Sequence, residues 1–272
     1  MNPITEQIEC LNGLLEEIGP VKVAVSGGVD SMALGLLASR TLGSAALICH
    51  AVSAAVPTEA TERVHQVAER EDWNLRLLDA GEFSNPDYLS NPYDRCFHCK
   101  NSLYTAMGLI ADDNQGITML SGTNQDDLSD YRPGLIASKQ HGVRHPFVEC
   151  GVDKAGIREI AHHLGYPELA ALPASPCLSS RIETGLPIDV EQLSLVHRIE
   201  RSLQQSLQPA VVRCRIQASG ISIQLDAGTL ERLHSTKHRW RSILEEMAGQ
   251  LGLPRSVRFE PYRMGSAFVP PK

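Results

Sequence analysis

The sequence predicts an α/β protein in which a parallel-sheet domain is followed by a small α+β domain. Short apolar runs typical of buried strands alternate with helical stretches over residues 4–165. Residues 166–188 break this alternation, with four prolines and little periodicity. From residue 189 the order changes to helix, strand, strand, helix, strand. We expect a first domain over 1–165, a linker and active-site loop over 166–188, and a second domain over 189–272.

The first domain opens with a helix over 4–18, where apolar residues recur at helical spacing. The predicted strands are 21–25, 45–52, 74–78 and 117–122, and the predicted helices are near 31–41, 57–72, 97–112 and 153–165. Alternating strands and helices imply a parallel sheet with right-handed crossovers. Ligands bind at the carboxyl ends of such strands.

The second domain begins with a helix over about 190–208 whose apolar residues share one side. The segments VVRCRIQ and ISIQL, separated by a short turn, have the pattern of a β-hairpin. A helix over 228–248 and a last strand, SVRFEPYR, follow. This αββαβ order predicts a small α+β unit.

Composition narrows the class of protein. No apolar run approaches the ~20 residues of a membrane span, and the acidic N-terminus lacks signal-peptide features. We therefore expect a cytoplasmic protein whose seven cysteines are reduced. Cys10, Cys49, Cys150 and Cys214 are expected to be packing residues. A net charge of −7 argues against nucleic acid as a partner.

The most informative segment is Ser26-Gly27-Gly28-Val29-Asp30-Ser31, between a buried strand and an Ala/Leu-rich helix. Glycines let the backbone approach a ligand, and amides at a helix N-terminus attract an anion. The serine hydroxyls add donors. No lysine follows the glycines, which excludes the GxxxxGK[ST] loop of kinases and GTPases. The hexapeptide resembles the PP-loop of ATP pyrophosphatases, which cleave ATP between the α and β phosphates. The alternative is an ordinary tight turn.

Three cysteines have polar surroundings in the sequence. Cys177 lies beside prolines and is followed by hydroxyls and Arg181, and a nearby cation favours the nucleophilic thiolate. Cys96 and Cys99 form a CxxC pair, which indicates redox chemistry or a metal. With Cys177 as third ligand they would leave one iron of a [4Fe–4S] cluster open, whereas His98 would complete a zinc set. The alternative is that they are structural thiols.

A polar loop follows the strand at 117–122. It runs from Gly122 through Asp126 and Asp127 to Asp130, Tyr131 and Arg132. Its carboxylates would order Mg²⁺ and its arginine would meet a phosphate. The alternative is a solvated loop whose Asp residues cap a helix.

Arg213 and Arg215 flank Cys214 in a predicted strand, so both point to one face, about 7 Å apart. Two guanidinium groups so placed suit a phosphate and a carboxylate. Glu200, on the preceding helix, has the chemistry of a base. Taken alone, all three are more simply explained as solvated charges.

Taken together, the motifs resemble those of the LarE family, ATP-dependent sulfur transferases that build the nickel-pincer nucleotide of lactate racemase. The motifs are SGGVDS, RCxxCK, SGTNxDD, PCLSSRI and a terminal strand ending in PYRMGS, and they span nearly the whole chain. SGGVDS is specific only for PP-loop enzymes, and the CLSSR loop with the αββαβ tail narrows the match to this family. The resemblance implies an adenine nucleotide hydrolase-like PP-loop domain and a homo-oligomer such as a hexamer.

The resemblance also implies the chemistry. ATP with Mg²⁺ adenylates a carboxylate of pyridinium-3,5-biscarboxylate mononucleotide, and a sulfur nucleophile displaces AMP to leave a thiocarboxylate. In a sacrificial version the sulfur is that of Cys177, which ends as dehydroalanine. In a second version, which the CxxC layout favours, Cys96, Cys99 and Cys177 hold a [4Fe–4S] cluster that carries an exchangeable sulfide. The pocket residues are Ser180, Arg181, Glu200, Arg213 and Arg215. The ATP site comprises Ser26, Gly27, Gly28, Asp30, Ser31, Gly122 and Asp127.

Three competing interpretations remain at this stage. A tRNA-thiolating PP-loop enzyme also combines CxxC with a distant cysteine, but should carry a basic RNA-binding domain. An amidotransferase-like synthetase needs an ammonia source, and the sequence has no glutaminase domain. A non-catalytic nucleotide-binding or metal-binding regulator is opposed by the intact serines and Asp30 of the hexapeptide.

Overall fold

The computed structural model describes residues 3–110, 116–129 and 132–263. It divides into two compact units. The first unit comprises residues 1–82 and 96–175, and the second comprises 83–95 and 176–272. The grouping of 83–95 with the C-terminal residues has no counterpart in the sequence pattern. The boundaries at 165 and 189 stay a prediction about independently folding domains.

Helix and strand bounds follow the sequence periodicity closely. Among the described residues the strands are β1 (Val21–Ala24), β2 (Ala46–Ala51), β3 (Asn74–Leu78), β4 (Thr118–Ser121), β5 (Val212–Gln217), β6 (Gly220–Leu225) and β7 (Val257–Pro261). The α-helices are α1 (Pro3–Ile18), α2 (Val29–Leu42), α3 (Thr58–Arg70), α4 (Pro86–Leu89), α5 (Arg95–Gly108), α6 (Gly134–Gln140), α7 (Pro146–Glu149), α8 (Lys154–His163), α9 (Pro167–Ala170), α10 (Val190–Leu207), α11 (Ala227–Arg232) and α12 (Lys237–Gln250).

The first unit is built on a four-stranded parallel sheet with the order β3-β2-β1-β4. The predicted α/β fold class is confirmed. All residues of β1 are buried, as expected for a central parallel strand covered on both faces. Lys22 is buried within it because its ammonium donates to the carbonyl oxygens of Met107 and Ile110, at 3.0 and 3.1 Å.

The second unit contains a three-stranded sheet with the order β5-β6-β7. β5 and β6 form the predicted antiparallel hairpin, and β7 pairs parallel to β6. Helix α10 packs on β5 through its buried apolar side. The small α+β unit predicted at the C-terminus is therefore present.

Two details of the prediction are wrong. The helix expected over 228–248 is two helices, α11 and α12, separated by a 3₁₀ turn at Leu233–Ser235. The loop expected over 166–188 contains α9 and a 3₁₀ turn at Leu178–Arg181. Helices of one turn are too short to carry a periodic signal.

Cys10 and Cys150 form a disulfide, so their prediction as reduced packing residues is wrong. Cys10 lies on α1 and Cys150 directly follows α7, and these two helices pack together. Their Cα atoms are 6.1 Å apart, within the range that a disulfide spans. The other two expected packing residues, Cys49 and Cys214, are buried reduced thiols in strands.

Among the described helices, none combines the length and apolarity needed to cross a membrane.

Candidate functional site

In the hexapeptide loop after β1, the backbone conformation at Gly27 requires a glycine. Its φ is +81°, in the left-handed region that favours glycine. A Cβ at this position would lie 2.7 Å from the carbonyl oxygen of Ala60. Gly28 then forms the N-terminal cap of α2 with an extended backbone. The predicted strand–glycine–helix arrangement is therefore formed.

The two serines of the loop bond to each other. The Ser31 hydroxyl donates to the Gly28 carbonyl oxygen at 3.1 Å and accepts from the Ser26 amide at 3.0 Å. The Ser26 and Ser31 hydroxyl oxygens are 3.1 Å apart. A hydroxyl has a single hydrogen to donate. Ser31 therefore uses its donor to shape the loop, and the exposed Ser26 lies towards solvent.

The side chains of His50 and Arg63 contact backbone carbonyl oxygens at the start of the loop. The ring nitrogens of His50 lie 2.8 Å from the Val25 carbonyl oxygen and 2.9 Å from the Thr61 hydroxyl. Burial lowers the pKa of His50, which favours a neutral ring; with Nδ1 donating to the Val25 carbonyl oxygen, Nε2 can then accept from the Thr61 hydroxyl. Arg63 donates to the Gly27 carbonyl oxygen at 2.7 Å, and burial lowers its pKa as well.

The loop after β4 meets the first loop because β1 and β4 are neighbours in the sheet. A Cβ at Gly122 would lie 2.8 Å from the Asp30 carbonyl carbon and from the Ser31 amide nitrogen. Only glycine allows this approach of two backbones. The structure thus brings Gly122 and the hexapeptide together, as their places at the carboxyl ends of the strands predicted.

The Asp residues of this second loop are partly used as caps. Asp127 accepts from the Asn124 amide at 3.1 Å, in a capping box, and its other oxygen lies 2.8 Å from Arg132. Asp127 therefore caps a helical turn, as the alternative interpretation of this loop predicted for its Asp residues, and also pairs with Arg132. Asp130 and Tyr131 lie outside the described residues.

Sequence reasoning missed Lys154, the first residue of α8. Its ammonium lies 2.6 Å from Asp30 Oδ1. The Asn124 side-chain amide also approaches Asp30, at 3.4 Å. No local pattern marks Lys154, because it is 124 residues from its partner. Its position directly after Asp153, the N-cap of α8, was the only available signal.

Cys96 and Cys99 lie in the first turns of α5, with His98 between them. Both are reduced thiols of intermediate exposure. Tyr104 and, after it, these two thiols raise the pKa of the adjacent Lys100, which keeps a cation beside the pair. Within neither unit do the described residues bring three His, Cys, Asp or Glu side chains together as a metal site. A three-cysteine site stays a prediction.

Cys177 is an exposed reduced thiol at the start of a 3₁₀ turn. Its carbonyl oxygen accepts from the Ser180 amide at 3.0 Å and from the Ser180 hydroxyl at 2.8 Å. Arg181 donates to the same oxygen at 3.2 Å and to that of Pro176 at 2.7 Å. The backbone around Cys177 is therefore fixed while its thiol faces solvent.

Glu200 orients Arg181. Arg181 is 2% exposed and makes a two-pronged ion pair with Glu200, at 3.0 and 3.1 Å. Glu200 also accepts from the Cys214 amide at 2.8 Å. Its interpretation as a solvated helix charge is wrong, because its side chain is 12% exposed and both oxygens are bonded.

Arg215 is also buried, at 8% exposure, so a solvated strand edge does not describe it. It donates to the Ser180 carbonyl oxygen and to the Gln224 side chain, each at 2.9 Å. Arg213 is half-buried and lies over the Tyr262 ring. Burial lowers the pKa of both arginines, and Arg181 adds to this.

A cavity of about 360 Å³ opens beside Arg215. Its lining is rich in donors and carries two guanidinium groups, which suits an anionic ligand. The lining residues are Arg215, Gln217, Gln224, Glu260, Pro261 and Arg263.

Comparison with known proteins gives three informative relatives. No protein-family model matches the chain. An uncharacterised protein of Synechocystis sp. is 36% identical over 74% of this chain and 75% of its own length. The pyridinium-3,5-bisthiocarboxylic acid mononucleotide synthase of Lactiplantibacillus plantarum is 28% identical over 78% of this chain and 76% of its own length. A chain of the glutamine-hydrolyzing GMP synthase of Methanopyrus kandleri is 25% identical over 75% of this chain and 69% of its own length. Similarity over this extent, together with the loop geometry, leads to one conclusion: the chain belongs to the LarE family of the PP-loop superfamily.

Proposed function

We propose that this chain is an ATP-dependent sulfur transferase. It would adenylate the carboxylates of pyridinium-3,5-biscarboxylate mononucleotide and convert them to thiocarboxylates for nickel-pincer nucleotide synthesis. The observation that carries the proposal concerns the described cysteines. Of the five cysteines outside the disulfide, Cys49 and Cys214 are fully buried, whereas Cys96, Cys99 and Cys177 are reached by solvent. The name of the relative from L. plantarum supports the substrate.

Activation of the carboxylate belongs to the first unit. A substrate carboxylate oxygen attacks the α-phosphorus of Mg·ATP, and the bond to the β-phosphate breaks to release pyrophosphate. Backbone amides of the loop at Gly27 and Gly28, with the N-terminus of α2, would bind the phosphates. Gly122 and the bonds of Ser31 keep the loop in shape.

Substrate binding would fall to Arg213 and Arg215 in the second unit. The mononucleotide carries a phosphate and two carboxylates, and guanidinium groups bind such anions through paired hydrogen bonds. The cavity beside Arg215 offers the required donors. Because Arg215 is already held by Ser180 and Gln224, little freedom would be lost on binding.

Sulfur transfer would take place at Cys177. A sulfur nucleophile attacks the acyl carbon of the adenylate, and AMP leaves with its bonding electrons. If the sulfur is that of Cys177, loss of the Cα proton to a base and cleavage of the Cβ–Sγ bond then free the thiocarboxylate. Ser180, Arg181 and Glu200 would act as positioning residues, since they fix the Cys177 backbone.

Cys96, Cys99 and Cys177 also suit the iron–sulfur version, because all three are reduced and accessible. A [4Fe–4S] cluster bound by them would supply an exchangeable sulfide in place of the cysteine sulfur. We favour this version, because a sacrificial mechanism leaves the CxxC pair without a function.

The products of ATP test the first step. With substrate present, we expect AMP and pyrophosphate, and Ser31→Ala should slow pyrophosphate release because the loop loses its internal bonds. Formation of ADP and phosphate without AMP would refute α/β cleavage.

Substrate affinity tests the second step. Arg213→Ala and Arg215→Ala should each weaken substrate binding by roughly 1.5–3 kcal/mol, as for charged hydrogen bonds. Arg241→Ala removes an exposed arginine on α12 and serves as the control. Unchanged substrate affinity in both test variants would mean that Arg213 and Arg215 do not bind the substrate.

The mass of the protein after reaction separates the sulfur sources. In the sacrificial version the chain loses ~34 Da as its thiol leaves, and Cys96→Ala/Cys99→Ala stays active. In the cluster version the mass is unchanged, anaerobic protein contains iron, and all three cysteines are needed. Full activity of the double variant in protein that never binds iron would exclude the cluster.

A further inference from the structure

The cavity beside Arg215 carries charge of both signs. Arg215 and Arg263 contribute guanidinium groups, and Glu260 is the one acidic side chain among the described residues that line it. A ligand with only negative charge would be attracted by the two arginines and repelled by the glutamate. A carboxylate at this place therefore needs either a positive part of the ligand or a structural partner.

Strand pairing places Glu260 in one row with the arginines proposed to bind the substrate. Arg213 of β5 is paired with Gln224 of β6, and Gln224 is paired with Glu260 of β7. Directly paired residues share a face of the sheet. Neighbouring strands lie about 4.8 Å apart, so about 10 Å separates the Cα atoms of Arg213 and Glu260. Arg215 donates to the Gln224 side chain at 2.9 Å, which puts Arg215 on this face as well.

A structural partner accounts for Glu260 poorly. One of its oxygens lies 3.3 Å from Arg258, but the Glu260 and Arg258 side chains are 40% and 46% exposed. An exposed ion pair of this kind contributes little to stability. The Arg258 guanidinium also donates to the Gln217 side chain and to the Ser219 hydroxyl, each at 2.8 Å. Arg258 is therefore held without Glu260, and the Glu260 carboxylate is available to a ligand in the cavity.

The pyridinium ring of the proposed substrate is a positive group that this carboxylate fits. The ring nitrogen is bonded to the ribose, so it has no hydrogen to donate. Its charge can be recognised by an aromatic face or by a carboxylate. The described residues that line the cavity include no aromatic side chain, which leaves the ionic contact with Glu260.

We propose that Glu260 is a specificity-determining residue of the substrate site. Its carboxylate pairs with the pyridinium ring, while Arg213 and Arg215 bind the phosphate and a carboxylate of the same ligand. The contact is ionic, and neither a proton nor an electron is transferred. Glu260 thereby selects a charged ring over a neutral one. This inference rests on the proposed function, because that function supplies the pyridinium ligand.

Calorimetric binding to the full chain tests this role without turnover. The probes are nicotinate mononucleotide, whose ring is cationic, and its 1,4-dihydro form, whose ring is neutral. Both carry the same phosphate and carboxylate. The wild type should bind the cationic probe more tightly than the neutral one. Glu260→Gln should bind the cationic probe about threefold or more weakly, as for one part-exposed ion pair, and the neutral probe equally or more tightly.

Two controls accompany this measurement. Glu260→Gln keeps the size of the side chain, so undiminished binding of the neutral probe shows that the cavity is intact. Glu246→Gln removes an exposed carboxylate on α12 and should bind both probes as the wild type does.

The role of Glu260 would be overturned by a wild type that binds neither probe or does not prefer the cationic one. It would also be overturned if Glu260→Gln keeps the preference, or loses affinity for both probes equally. Product assays with ATP and the proposed substrate test the proposed function separately. If the preference depends on Glu260 but neither pyrophosphate nor thiocarboxylate forms, the proposed function fails and the contact with the ring stands.

Discussion

At the scale of single residues, Gly27 tests the geometry of the loop. Gly27→Ala forces a left-handed backbone on alanine and brings a Cβ to within 2.7 Å of the Ala60 carbonyl oxygen. We expect a loss of about 1–3 kcal/mol in the free energy of unfolding, measured by urea denaturation.

Gly13→Ala is the matched control. Gly13 lies exposed inside α1 with nothing within 4 Å of an added Cβ. Because glycine weakens a helix interior, this change should raise stability by about 0.5–1 kcal/mol. Equal effects of the two substitutions would contradict the constraint at Gly27.

His50 gives the protein a pH dependence with a defined sign. Burial lowers its pKa below the ordinary value of 6.5, so the folded state keeps a neutral ring while the unfolded chain takes up a proton. Its contribution to stability is complete above pH 6.5 and is lost as the pH falls towards the folded-state pKa.

The melting temperature at about pH 7.5 and about pH 5.5, on either side of the ordinary histidine pKa, measures this contribution. His50→Gln should lose less stability over the interval than the wild type, because it has no ring to protonate. His163→Gln, at an exposed histidine of α8, should lose as much as the wild type. The same fall in melting temperature in all three proteins would show that His50 does not cause the pH dependence.

Residue identities were predictable where a local pattern carries them. The hexapeptide and the SGTNxDD loop each follow an apolar strand, so both were expected at the carboxyl ends of the sheet, whereas their contact depends on β1 and β4 being neighbours. Lys154 could not be inferred, since its pairing with Asp30 depends on how α8 packs near α2. The ion pair between Arg181 and Glu200 could not be inferred either, because a sequence does not show which charged residues are buried.

At the scale of elements, long helices and strands were predictable to within a few residues. The helices bury one face, which the spacing of their apolar residues records, and a strand buried on both faces, such as β1, is recorded as a short continuous apolar run. The segment of residues 83–95 was not predictable. Within the second unit, Asn91 donates to the Glu183 and Leu186 carbonyl oxygens at 2.9 Å, and its own carbonyl accepts from the Gly185 amide. Such side-chain bonds leave no periodic signature.

The disulfide between Cys10 and Cys150 links α1 to the end of α7 across a separation of 140 residues. Cys10→Ser should lower the free energy of unfolding by about 2–4 kcal/mol under non-reducing conditions, because the unfolded chain is no longer cross-linked. Cys177→Ser, at an exposed thiol outside the disulfide, is the control and should not change stability.

Thiol titration in denaturant provides an independent check on the disulfide. Five of the seven cysteines should react without reductant, and all seven after reduction. Seven reactive thiols in unreduced protein would contradict the bond.

At the scale of the whole molecule, the two halves of the proposed chemistry belong to different compact units. The hexapeptide loop and Lys154 belong to the first unit, whereas Cys177, Arg181 and Glu200 belong to the second. Ser31→Ala should therefore slow pyrophosphate release, whereas Cys177→Ala should block sulfur transfer and spare pyrophosphate release.

The central claim is that Cys177 carries sulfur transfer after ATP has activated a carboxylate. The most direct measurement follows pyrophosphate and thiocarboxylate together, by coupled assay and mass spectrometry, in wild type and Cys177→Ala. We expect Cys177→Ala to release pyrophosphate while forming no thiocarboxylate. Thiocarboxylate formation by Cys177→Ala would contradict the claim.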